Sequence, residues 1–256
     1  MARTALGVAA MRAQESARPD RWFDDSYAGR FLEAAGWDRT LPDADAVEDP
    51  VWRSIMRSSI VRTRFLDELL ATGDCPQVVL LGAGLDSRAF RLDWATGTTL
   101  YELDQPEVLA FKDEVLAADV PRCERRPVAI DLLDDWPAAL EVAGHDPARP
   151  TTWVAEGLLM YFDDAGVETM LRRITNRSPA GSRLAITLRA STGAVPERMV
   201  GMWRSSAPDD PVAWLAGFGW MATVAAWGER AAAWGRPHWD TGAKAGLVDA
   251  VRTLAP

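Results

Sequence analysis

Cysteine is almost missing from this chain. Two occur in 256 residues, Cys75 and Cys123; that is too few for a disulfide framework, and they lack the CxxC spacing that clamps a metal. A reducing, cytoplasmic setting is therefore the expectation. Long hydrophobic runs are missing too. No segment approaches the ~20 apolar residues that cross a bilayer, and the first residues, MARTALGVAAMRAQES, have no cleavable apolar core and read as a helix rather than a signal peptide. No membrane partner is expected. Positive charge is in deficit: 28 Lys and Arg against 37 Asp and Glu leave a net charge of −9. The short Arg-bearing stretches around Arg122–Arg126 and Arg172–Arg173 are surrounded by acids, so no basic face exists to neutralise phosphates, and nucleic acid is excluded as a partner. A small molecule or a peptide fits better. Histidine is scarce, with only His145 and His238, which restricts any acid–base chemistry run at neutral pH. Linkers, repeats and low-complexity tracts are absent as well, so residues 1–256 read as a single domain. Nothing in the residues specifies an oligomeric state.

What is present is a change of period. Helical patterning covers residues 5–17, 25–35 and 51–71, the last two stopped near Gly36 and Gly73. Short β-branched or apolar runs then follow at 78–81, 98–103, 127–130, 152–155 and 183–188, separated by helical stretches at 105–118, 135–142 and 163–177. Strands alternating with helices predict an α/β, doubly wound, mostly parallel sheet, with the helical N-terminus packed as a cap. Residues 201–240 hold Trp203, Trp214, Trp220, Trp227, Trp234 and Trp239 among interspersed Gly and Pro. A last hairpin and a helix whose tryptophans fill core is one reading; Trp203 or Trp214 lining an apolar pocket is the other.

Four strand ends carry polar chemistry. Gly82-Ala83-Gly84 follows the run VVLL and precedes a helix, where an α/β sheet binds nucleotide-like ligands. A dinucleotide fingerprint GxGxxG would need a third glycine at position 87, which is Ser87. Asp104 ends the second strand, 20 residues past Gly84, and can accept ribose hydroxyls from NAD or from S-adenosylmethionine; it can also cap the helix that starts at Pro106. Asp131, with the Leu132 backbone, would face an adenine edge, and Glu156-Gly157 ends the fourth strand. The acidic rim formed by Asp104, Asp131 and Glu156 repels a pyrophosphate and tolerates a sulfonium.

The segments VVLLGAGLDSRAFRL, YELDQPEVLAFK, AIDLLDDWPAAL and WVAEGLLMYFDDAGVETML resemble, in order and spacing, the leucine carboxyl methyltransferase-like family. That family includes polyketide O-methyltransferases of the tetracenomycin type and many uncharacterised actinobacterial members. The likeness extends to LGVAAMRAQESARPDRWFDDSYAGRF and to DPVAWLAGFGW, and so covers most of the chain. It implies a class I methyltransferase, Rossmann-like fold: a helical cap over 1–73, a cofactor-binding core over 74–190 and a substrate-side segment over 191–256. It also implies S-adenosyl-L-methionine as cofactor. Arg62 would bind the cofactor's methionine carboxylate, with Arg12 a second basic residue there; Gly82, Ala83 and Gly84 would form the loop beneath it. Asp104 would take the ribose, Asp131 and Leu132 the adenine, and Glu156 with Gly157 would lie near the methionine. The acid that many class I enzymes carry two residues before the first glycine is here Leu80, and Ser26 stands where relatives often have proline.

Methyl transfer needs an aligned nucleophile and a dry site. A hydroxyl acceptor usually wants a base, for which His238, His145 and Tyr161 are the candidates. A carboxylate acceptor is already ionised and wants an arginine to hold it, for which Arg189 and Arg204 are candidates by position. An O-methyltransferase acting on a small natural product or a peptide is the expected function. A cofactor-binding protein without turnover, or an NAD-dependent oxidoreductase, are the alternatives.

Overall fold

The computed structural model describes residues 3–38, 41–189, 200–239 and 246–253. Three helices come first: α1 (Arg3–Ser16), α2 (Ser26–Ala34) and α3 (Pro50–Ala71). The start of α2 is set by Asp25, whose side chain accepts the Ala28 N–H, so the helix is capped although Ser26 replaces the commoner proline. Asp49 caps α3 by accepting from Val51 and Trp52, with Pro50 in the first turn, where its missing N–H costs nothing.

The sheet follows as β1 (Gln77–Leu81), β2 (Thr99–Asp104), β3 (Glu124–Ala129), β4 (Thr151–Ala155) and β5 (Arg183–Thr187), with β6 (Trp220–Ala226) and β7 (Gly246–Arg252) last. The connecting helices are α4 (Arg88–Arg91), α5 (Pro106–Val115), α6 (Trp136–Val142), α7 (Asp164–Thr175), α8 (Pro211–Ala216) and α9 (Trp227–Ala233). Strand order is β3-β2-β1-β4-β5-β7-β6. The first five strands are parallel, and β7 runs antiparallel between β5 and β6. The order reverses between β1 and β4, and the carboxyl ends at that switch are where such sheets bind ligands. The boundary expected near residue 190 lies outside the described residues.

Alternation along the buried strands builds two cores. Val78, Leu80, Leu100 and Val154 face α1, α2 and α3; Val79, Leu81, Trp153 and Ile186 face α6 and α7. The helical cap thus covers one face of the sheet together with α4, α5 and α9. It is tied to the C-terminal segment by Arg236, a buried guanidinium that makes two bonds to the buried Glu15 at 2.9 and 3.0 Å and packs against the rings of both Trp22 and Trp239. The C-terminal tryptophans divide as the sequence left open. Trp220 and Trp239 are buried, while Trp214 packs edge-on against Phe218. No helix among the described residues is long and apolar enough to cross a membrane.

Candidate active site

A cavity of about 1660 Å³ opens at the carboxyl edge of the sheet. Gly82, Ala83 and Gly84 form its floor after β1. Gly82 has φ +65°, and a Cβ there would sit 2.9 Å from Leu158 Cδ1, so glycine is required on both backbone and packing grounds. The next turn is fixed from the cap side: Arg12 donates to the Leu85 carbonyl at 2.6 Å and pairs with Asp25 at 2.7 Å. Arg12 lines the cavity while holding α1 to this loop.

Asp104 ends β2. Its Oδ2 accepts the Gly84 N–H at 2.6 Å and its Oδ1 the Gln105 N–H at 2.7 Å. Burial pushes this carboxyl above its ordinary range, and the two N–H bonds pull only part of the way back. The alternative role of capping α5 is not what its side chain does beyond Gln105, since no side-chain cap bond is made there. Asp131 follows β3, accepting from the Leu133 N–H at 2.9 Å, and the buried Leu132 lies beside it on the cavity wall.

Glu156 and Gly157 follow β4. Here the expected acidic rim is corrected. Glu156 Oε1 accepts from Arg62 Nε at 2.9 Å, and Oε2 from Arg88 at 2.8 Å. The two guanidinium groups hold the Glu156 carboxyl below its usual range in spite of its burial. The rim is therefore acidic at Asp104 and Asp131 and charge-compensated at Glu156. Gly157, with φ +60°, lies so close to Arg62 that a Cβ would sit 2.9 Å from a terminal nitrogen of that side chain; its N–H is anchored on Thr187 Oγ1 at 2.7 Å.

All ten residues expected at the cofactor loop and rim line this one cavity, as do Tyr161 and Arg189. Arg189 follows β5, stacks 5.4 Å over Trp203 and donates to the Ser205 carbonyl; burial lowers its guanidinium pKa. His238 and Arg204 are placed outside. The His238 ring is more than half exposed and sits 3.2 Å from Asp45, and Arg204 is exposed, its backbone N–H bonded to the Met160 carbonyl. His145 is also remote: it is buried, lies 3.0 Å from Thr151 Oγ1 at the start of β4, and burial lowers its pKa to about 4. The outer part of the cavity is aromatic, with Trp37 and Trp52 on the cap side and Trp203, Trp227 and Trp239 from the C-terminal segment.

A family model described as leucine carboxyl methyltransferase matches residues 5–175. The chain belongs to the leucine carboxyl methyltransferase family. Among its relatives is a Frankia alni protein, 48% identical over 272 residues that cover 98% of this chain and 94% of the relative. Another, from Streptomyces coelicolor, is 47% identical over 270 residues, covering 97% and 94%. Both are provisionally named S-adenosyl-L-methionine-dependent methyltransferases. The fold is shared with a solved DUF574 family protein of Streptomyces avermitilis, at TM-score 0.60 and 15% identity over 94% of this chain and 99% of that one. It is also shared with a Thermobifida fusca protein at TM-score 0.57 and 16% identity, over 96% and 94%. The sheet is that of a class I, Rossmann-like methyltransferase.

One part of this family member's site is not apparent from its sequence motifs read singly. Arg88, in the DSRAF stretch, is 2% exposed and meets Asp67, Asp86 and Glu156 together. Its partners lie 21, 2 and 68 residues away. The only signal in the sequence was the density of charge in LDSRAFR next to an otherwise apolar strand.

Proposed function

We propose that this methyltransferase is an O-methyltransferase that uses S-adenosyl-L-methionine to make a methyl ester, or a methyl ether, on a small natural product or a peptide. The observation that carries this reading is one cavity lined at once by the Gly82–Gly84 turn, Asp104 and Arg62, with an aromatic outer part. At about 1660 Å³ it is larger than the roughly 300–1,000 Å³ of a single-ligand pocket, and so has room for a cofactor and an acceptor side by side.

The residues present suit this cofactor. Arg62 spends its Nε on Glu156 and, among the described residues, has its terminal nitrogens left for a carboxylate. Asp104 accepts ribose hydroxyls, and Asp131 with Leu132 offers an acceptor and a backbone donor to an adenine edge. Gly82, Ala83, Gly84 and Gly157 keep side chains out of the floor, and Arg12 fixes the loop through Leu85. The bound cofactor supplies an electrophilic methyl group on a sulfonium. The protein's share is to align the acceptor oxygen and keep water out, which the tryptophan-lined outer part does.

Ester formation is the favoured outcome because neither histidine lines the cavity. A carboxylate needs no base, and the cavity-lining Arg189 is the cation proposed to hold one. Tyr161 is the group available should the acceptor be a hydroxyl. The test is incubation with a labelled methyl donor and an extract of the producing organism, followed by mild base. Label released by base supports an ester; label that survives identifies an ether or an amine; no transfer at all favours a cofactor-binding protein without turnover.

A further inference from the structure

At the cavity wall lies a set of six charges, of which Arg62, Asp86 and Glu156 line the cavity and the others stand behind them. On α3 are Arg62 and Asp67, in the turn after β1 is Asp86, on α4 are Arg88 and Arg91, and at the end of β4 is Glu156. Arg91 is absorbed by Asp67, to which its two terminal nitrogens bond at 2.6 and 2.7 Å. Arg88 takes the rest: Nε to Asp67 at 2.7 Å, one terminal nitrogen to both Asp86 and Glu156, and the other to the Thr63 carbonyl at 3.4 Å. Three acids meet three arginines, and the set is neutral. The division is uneven, however. Arg62 makes a single bond, through Nε, to Glu156 Oε1.

We propose that Arg88 is a positioning residue for the donor site: by neutralising Glu156 and Asp86 from behind, it leaves the terminal nitrogens of Arg62 to grip the carboxylate of the cofactor. The inference rests on the donor reading above and extends it to a residue that does not line the cavity. Its physical basis is competition. The Glu156 and Asp86 side chains are only 17% and 11% exposed, and a carboxylate so largely withdrawn from water draws in the nearest cation. Without Arg88 that cation is Arg62, which already touches Glu156 and lies within reach over Gly157. An Arg62 clamped on both Glu156 oxygens keeps one terminal nitrogen but has lost its paired donor edge and its uncompensated charge, so its grip on a ligand carboxylate is weakened. The charges facing Glu156 and Asp86 are Arg62 and Asp67 from α3, Arg88 and Arg91 from α4, and Lys112 from α5, with Asp25 beyond Arg91. Arg88 and Arg91 together with Lys112 hold Asp86 down to about 2. Loss of Arg88 lets burial raise Asp86 and Glu156 towards the working pH.

The experiment is calorimetric titration of the full chain with two probes. S-adenosylhomocysteine has adenine, ribose and the amino-acid arm; 5′-methylthioadenosine has the same adenine, ribose and sulfur without that arm. Arg88→Gln is expected to weaken S-adenosylhomocysteine about tenfold or more, the loss of a charge-assisted bond, and to leave methylthioadenosine within about twofold. Arg62→Gln is expected to give the same pattern, and Arg88→Lys an intermediate one that also serves if the glutamine variant does not fold. The S-adenosylhomocysteine deficit of Arg88→Gln should shrink on acidification, because protonating Glu156 releases Arg62. Parallel loss of both probes in whichever Arg88 variant folds, or no loss of either, overturns the role of Arg88. A wild type that binds neither probe overturns the donor reading itself.

Discussion

The carboxylate of Asp104 accepts the backbone N–H of Gly84 at 2.6 Å, so the second strand grips the turn that follows the first. The bond aligns the two parts of the sequence read as ribose and methionine contacts before any ligand arrives. It also holds a carboxylate in a place where burial raises its pKa.

Asp104→Asn separates those two effects. The amide oxygen can still accept from Gly84, the exposed Gln105 N–H must turn to water because the amide nitrogen cannot accept it, and the charge is gone. Affinity for S-adenosylmethionine should fall by about 1–3 kcal/mol through lost charge-assisted bonds to ribose, measured by calorimetry. The melting temperature of the free protein should be unchanged or higher, because a carboxyl with a raised folded-state pKa costs stability wherever it is ionised. In the wild type, donor affinity should weaken on acidification at a higher pH than an ordinary carboxylate would give. A variant with lower melting temperature and unchanged affinity would make Asp104 a structural group only.

Gly82→Ala tests the floor. Its φ of +65° strains any side chain, and the Cβ meets Leu158 Cδ1 at 2.9 Å. A stability loss of about 1–3 kcal/mol is expected in denaturant melts, together with weaker donor binding. Leu158→Ala in the same chain should restore part of the stability by removing the clash and leave the strain.

His145 sets an acid limit on the fold. It is neutral and buried, with a pKa lowered from 6.5 to about 4. Between those values the unfolded chain binds a proton that the folded chain does not, so stability rises with pH across this window and is lost as pH falls through it. The full difference corresponds to roughly 3 kcal/mol. Replacing His145 by Asn should flatten the curve of stability against pH in that window without altering catalysis, since the ring lies at the far end of β4 from the cavity. An unchanged slope would assign the acid sensitivity to other groups.

Tyr161→Phe distinguishes the two acceptor chemistries. If the product is base-labile, turnover should change by no more than about twofold, as an ionised carboxylate needs no proton removed. For a hydroxyl acceptor with Tyr161 as base, kcat should fall by roughly 10²-fold or more at unchanged donor affinity. His238→Ala should be silent in either case, because that ring is outside the cavity against Asp45.

Strands were legible wherever both faces are buried: β1, β2, β4 and β5 fall within one or two residues of their apolar runs. The start of β3 was not. Glu124, Arg125 and Arg126 belong to it, but this is the outer strand, and its charged residues pair with Asp113, Glu102 and one another instead of announcing a buried run. Gly82, Asp104 and Asp131 were readable because each sits at the end of a strand, a position that sequence order alone defines. The engagement of Glu156 by two arginines was hidden, since Arg62 and Arg88 approach it across 94 and 68 residues of chain. For the same reason His238, near the tryptophans in sequence, could not be seen to point away from the cavity.

The place of β7 has a consequence for a growing polypeptide. It leaves the ribosome after the other described strands, yet it belongs inside the sheet, with β5 on one side and β6 on the other. Until Gly246–Arg252 emerges, β5 is an open edge and β6 has no partner. A nascent chain can therefore assemble the turn, Asp104 and Arg62 early, but Trp203 and Trp227 become a wall only after Gly246–Arg252 has been added. An open, apolar edge such as β5 invites pairing with a neighbouring chain. Translation that stalls before Gly246 leaves a protein with a donor half and a sticky flank.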